Sequence, residues 1–133
     1  MVEISKNMKI MLVVDAIAGF IYGIFYMIIP ELYFVIKDST NFDPQFWRLW
    51  GGTCFAFGIF CLIAIRRAEW ENVKILVELG ILWLILAVIV NFITIATVPL
   101  SITAYASQWF DNVVIIILIV ANTYLYLKES SSA

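Results

Sequence analysis

Four apolar runs, each about twenty residues or longer, occupy most of this 133-residue chain. A helix crosses the ~30 Å hydrocarbon core of a bilayer with roughly 20 apolar residues. The runs cover about residues 8–29, 44–65, 73–97 and 108–127. They lack the ~10-residue alternating segments that a membrane β-barrel requires. The expected fold is therefore all-α: a single integral membrane domain, 1–133, built as a four-transmembrane-helix bundle in the cell membrane. Composition agrees. The chain is 64% hydrophobic and 14% charged, against roughly 45–50% and 25% in soluble domains.

Punctuation marks the ends of the runs. Pro30 stops the first. Asp43 is a candidate N-cap for the second, with Pro44 suited to the first helical position, and Arg66 and Arg67 close it. Asn72 is the candidate N-cap of the third, which ends before Pro99. Ser107 is that of the fourth, and "KESSSA" reads as a fraying tail. In the first connection, "ELYFVI" reads as a short interfacial helix, and the apolar stretch 98–107 as a segment lying on the membrane or between helices. A cleaved signal peptide is a competing reading of the start, with "AIA" at 16–18 as its cleavage site. The apolar run continues past that point to Ile29, which favours a span.

Lysine and arginine orient the bundle. Lys6, Lys9, Arg66, Arg67, Lys74 and Lys128 fall on one side and only Lys37 and Arg48 on the other, so both termini are expected in the cytoplasm. Tyr and Trp favour the water interface. Tyr33, Trp47, Trp50, Tyr105 and Trp109 fall near the outer one, and Trp70, Tyr124 and Tyr126 near the inner.

Several functions are disfavoured. The chain has no histidine, which removes bis-histidine haem ligation, the usual zinc sites and His-based catalysis. No basic block suggests nucleic acid. Cys54 and Cys61, seven positions apart on one helix, are separated by a rise of roughly 10 Å, too far for a disulfide. No metal, cofactor or catalytic residue is expected.

What remains is a small set of polar groups at membrane depth, where ionisable residues are costly and face the bundle interior or water. Asp15 shares a helical stripe with Gly19, Tyr22, Gly23 and Tyr26. The Gly19–Gly23 pair permits close approach of another helix, so Asp15 is expected to face that neighbour, with Asn122 of the fourth span at the same depth. Asp15, Tyr22 and Asn122 form the candidate polar core. Asp15 is either a neutral hydrogen-bonding acid that locks two helices or a titrating group facing water. Arg48, Asn91 and Asp111, with Thr94 and Asn112, form a second group, in which an Arg48–Asp111 pair would neutralise two charges. Lys74 could pair with Glu78 one turn on. Gly51, Gly52 and Gly58 give the second span a flat packing surface. Trp83 reads as bundle filler or as lipid-facing.

With "MIIPEL" ending the first span, "FWRLWGG" opening the second, "LIAIRR" closing it and Trp109 opening the fourth, the chain resembles the DoxX-like four-helix membrane proteins over about residues 10–127. The resemblance implies a four-helix transmembrane bundle and an accessory role in a larger membrane assembly. It carries over no catalytic residue. The layout also resembles the small multidrug-resistance transporters, which place a carboxylate in the first span, although here that acid is Asp and its neighbours differ. The expected function is that of an accessory or structural subunit, or a self-associating membrane protein, with the lipid bilayer and other membrane subunits or further copies of the chain as partners. The alternative is a proton- or cation-coupled transporter or channel using Asp15. A membrane enzyme using Asp15, Glu78 or Asp111 as acid or base is a third reading.

Overall fold

A computed structural model describes residues 2–132. The described chain is helices joined by short connections, with no strand among the described residues beyond an isolated antiparallel bridge between Glu3 and Glu69. Helix α1 spans Lys6–Gly23 and runs into a π-helical turn, Ile24–Ile28. A short helix α2 follows, Pro30–Lys37, where the sequence suggests an interfacial one. The long helices α3, Pro44–Arg67, α4, Trp70–Thr97, and α5, Ile102–Ser132, complete the fold. With α1 and its π turn, these make four helices long and apolar enough to cross a membrane.

Local chemistry explains the boundaries. Ser5 caps α1 by accepting the Met8 N–H. Asp43 caps α3 by accepting the N–H groups of Gln45 and Phe46, with Pro44 behind it. Two expected caps lie elsewhere. Helix α4 starts at Trp70, so Glu69 and not Asn72 is its N-cap; that entry is fixed by the N-terminal segment, whose Val2 carbonyl accepts the Trp70 N–H. Helix α5 starts at Ile102, because Ser101 Oγ accepts the Ala104 N–H at 3.1 Å. Ser107 is therefore inside the helix, and the stretch expected as a connection supplies its first turns. The tail remains helical through Ser132.

The π turn has a direct cause. Pro30 has no N–H to offer the Tyr26 carbonyl one turn back. The chain widens instead, and the Ile29 N–H bonds the Ile24 carbonyl at 3.1 Å.

The helices form a ring in the order α1, α3, α4, α5, with no close backbone approach across the diagonals among the described residues. The α1–α3 and α4–α5 pairs pack more closely than the two joints between them. Glycine makes the first pair tight. A Cβ on Gly19 would lie 2.8 Å from the Cys54 carbonyl oxygen, one on Gly51 would overlap the Met27 backbone, and one on Gly23 or Gly58 would press on Phe55 or Phe20. Gly52, expected on the same packing surface, faces open space. Lipid tails are as apolar as the side chains, so contact between backbones, and not hydrophobic burial, holds such helices together.

The densest core lies at the end carrying the termini. Met8, Leu12, Ala64, Trp70, Val73 and Val77 are buried there. The Ile4 N–H bonds the Ala68 carbonyl at 2.8 Å, and the buried Glu129 carboxylate accepts the Ser5 N–H. Outward faces remain apolar, as in Ile17, Leu62, Leu86 and Ile117.

Gly19→Leu and Gly51→Val are expected to destabilise the bundle by about 1–3 kcal/mol through overpacking, whereas Gly52→Ala changes stability by less than about 0.5 kcal/mol. Thermal melts of the purified variants in one detergent would show the ranking, and a Gly52→Ala loss equal to the other two would contradict it.

Candidate functional site

A cavity of about 330 Å³ lies inside the ring, where the loose joints leave room. Its walls are chiefly aromatic and aliphatic. Trp83 of α4 stacks between Trp50 and Phe57 of α3, with ring centroids 5.0 and 5.2 Å away. Trp83 thus lines the cavity with both partners and does not merely fill the bundle. Tyr22, Tyr26, Leu84 and Ile115 complete much of the surface.

Polar groups occur at two depths. Towards the termini, Asn122 Nδ2 donates to Asp15 Oδ1 at 3.1 Å and to the Leu118 carbonyl at 3.0 Å. This is the helix-to-helix contact the stripe on α1 suggests. Asp15 forms no ion pair among the described residues. Cys61, a free thiol, lines the cavity at the same end, and Cys54 lies further along.

At the opposite end the structure departs from the sequence expectation. Arg48 and Asp111 are not partners. Arg48 reaches Glu31 at 2.6 Å on the surface, with both side chains more than half exposed. Asp111 instead pairs with Lys37 at 2.5 Å, with both side chains less than a tenth exposed. The reason is α2: the short helix folds back so that its last residue, Lys37, enters the mouth of the bundle. A left-handed residue at Asp38, φ 50°, ends the helix there, a conformation Asp tolerates better than most residues.

The pair is well supported. Tyr22 donates to Asp111 Oδ1 at 3.0 Å, and Lys37 Nζ donates to the Tyr26 hydroxyl at 3.2 Å. The ammonium also lies 5.2 Å from the Tyr33 ring centroid and 5.7 Å from that of Tyr26, within cation–π range. Burial pushes the Tyr33 phenol above its ordinary range, so the ring beside the ammonium is neutral. Tyr26, Tyr33, Phe34, Phe42 and Trp47 pack together around this plug. Beyond it a smaller hollow of about 180 Å³ is lined by Lys37, Asn41 and Gln108.

The expected polar core is therefore divided. Asp15 and Asn122 meet, but Tyr22 belongs to the Asp111 group, about two turns along α1. Asn91 lines the cavity, while Thr94 lines it and returns its hydroxyl to the Val90 carbonyl. Asn112 is fully buried, and neither amide atom has a hydrogen-bond partner among the described residues. Lys74 pairs with Glu71 and not Glu78, which accepts the Tyr126 hydroxyl in an exposed contact. Among the described residues, no group of three or more Cys, Asp or Glu could hold a metal ion.

Sequence reasoning missed Lys37, which reads as one of two positive charges on the outer side. Its one signal is the helical pattern of "ELYFVIK", which places the lysine at the end of an element able to fold back.

Lys37→Met should destabilise the protein by about 3–5 kcal/mol, because it leaves the Asp111 charge buried without its partner. Adding Asp111→Leu should recover at least half of that loss. Melting temperatures of the two single variants and the double variant, with the wild type, complete the cycle; additive losses would rule out the coupling.

No family model, curated protein or solved structure matches this chain.

Proposed function

We propose that this small multi-pass membrane protein binds a small, largely apolar molecule inside its helix ring. The supporting observation is the cavity between the α1–α3 and α4–α5 pairs, with an aromatic wall and a polar group at each end. At about 330 Å³, its size falls within the roughly 300–1,000 Å³ of typical ligand sites, which are likewise apolar with a few placed polar groups. Binding of this kind serves a carrier, a transporter or a sensor.

The subunit reading has less support. The glycine faces lend it no support, because Gly19, Gly23, Gly51 and Gly58 are used between helices of the same chain. Kinship with the DoxX-like proteins is proposed on the sequence stretches alone. The orientation proposed with this function places both termini in the cytoplasm, on the lysine and arginine count.

A neutral apolar photolabel, 3-trifluoromethyl-3-phenyldiazirine, tests the reading in nanodiscs. Saturable labelling is expected at Leu84 and Ile115 on the cavity wall, alongside non-saturable labelling at lipid-facing positions such as Leu86. Ala18→Phe, which fills the cavity, should lower the saturable part at least fivefold. Labelling at lipid-facing positions only would refute internal binding.

A further inference from the structure

We propose that the cavity and the hollow at its mouth together take one single-chain amphiphile, with an uncharged head bearing hydroxyl or carbonyl oxygens in the hollow and its apolar chain in the cavity. This rests on the internal site proposed above and names its ligand class.

The two spaces adjoin, because Tyr26, Ser39, Trp47, Thr94 and Gln108 border both. Their chemistry differs. The cavity of about 330 Å³ is walled chiefly by aromatic and aliphatic side chains. The hollow of about 180 Å³ is bordered by Lys37, Thr40, Asn41 and Gln108. An ammonium has three N–H donors. Lys37 gives one to Asp111 and one to the Tyr26 hydroxyl, which leaves one for an oxygen in the hollow. The amides of Asn41 and Gln108 supply further donors and acceptors. Depth agrees with this division. The hollow is bordered by the connections 38–43 and 98–101, away from the termini, with Thr40 and Asn41 exposed, whereas the cavity extends to Asp15 and Asn122. A lipid keeps its head at the interface, because an unpaired polar group in hydrocarbon is costly. The bundle therefore receives an amphiphile in the orientation it has in the bilayer.

The ion pair decides the charge of the head. Lys37 is the charged side chain bordering the hollow, and Asp111 neutralises it. An anionic head would draw Lys37 away from Asp111 and strand a buried carboxylate. A cationic head would lie against the ammonium and be repelled. A headless hydrocarbon would fill the cavity and give the donors of the hollow no partner. A neutral head with oxygen acceptors takes the remaining N–H and leaves the pair in place.

Decyl glyceryl ether, decyl sulfate, decyltrimethylammonium and tetradecane present a comparable alkyl chain with a neutral, anionic, cationic or absent head. Each is set to compete with the saturable photolabelling of Leu84 and Ile115 in nanodiscs, compared at equal mole fraction in the lipid. On wild-type protein the glyceryl ether should halve the labelling at a mole fraction at least tenfold below the other compounds. The double variant Asn41→Leu, Gln108→Leu strips two polar side chains from the hollow and leaves Lys37 and Asp111 in place. It should weaken the glyceryl ether at least fivefold and change tetradecane less than twofold. The ranking on wild-type protein needs no variant, so misfolding of the double variant would leave the test intact. A charged compound or tetradecane equal to the glyceryl ether, or a glyceryl ether unaffected by the double variant, would overturn the amphiphile assignment while leaving internal binding standing. Saturable labelling that none of the compounds displaces would do the same. Absence of saturable labelling on wild-type protein would overturn both proposals.

Discussion

The buried Lys37–Asp111 pair is the interaction on which the upper half of the bundle depends. It joins the last residue of α2 to a side chain on α5 that lies 74 positions further along the chain. Neither charge could be buried at less than a tenth exposed without the other. Once they meet, α2 must fold over the bundle mouth, and Tyr26, Tyr33 and Trp47 close around it. The same contact shapes the cavity, since Tyr22 turns its hydroxyl to Asp111 and presents its ring to the interior.

The two sides of the ring are held by different physics. Between α1 and α3, glycines allow backbone contact, the main source of association where solvent supplies no hydrophobic force. Between α1 and α5 the packing is looser, and two side-chain hydrogen bonds, Asp15–Asn122 and Tyr22–Asp111, provide the joint. Asp111 and Asn122 are 11 positions apart on α5, a rise of about 16 Å. The joint is thus fastened at two depths with an unfilled interval between, and that interval is part of the cavity wall. A bundle closed by glycine on all sides would have no such space.

Much of this was legible in the sequence, because it follows from local rules. Four long apolar runs, the Asp43–Pro44 helix start, the short helix after Pro30 and the facing of Asp15 towards Asn122 each depend on spacing within one segment or on matched depth in two. The failures share a different origin. Arg48 and Lys37 stand at similar depth on neighbouring elements, and linear sequence does not say which of them turns inward. Arg48 remains in the interface with Glu31 because α3 presents it outward, whereas Lys37 is carried in by the fold-back of α2. The π turn and the starts of α4 and α5 likewise depend on partners outside the helices concerned. For α4 the partner is the N-terminal segment, whose pairing with residues 68–70 no periodicity reports.

The contrast between the two cavity acids carries the functional argument furthest. Asp15 and Asp111 are the same residue type on the same internal surface. Asp111 meets Lys37, which α2 delivers with the Tyr33 ring beside it, and the Tyr22 hydroxyl of α1, so its charge is satisfied within the chain. Asp15 lies where α1, α3 and α5 supply only an amide, a thiol and apolar groups. The site therefore carries an ion pair at its mouth and, in its depth, an acid held by a neutral amide.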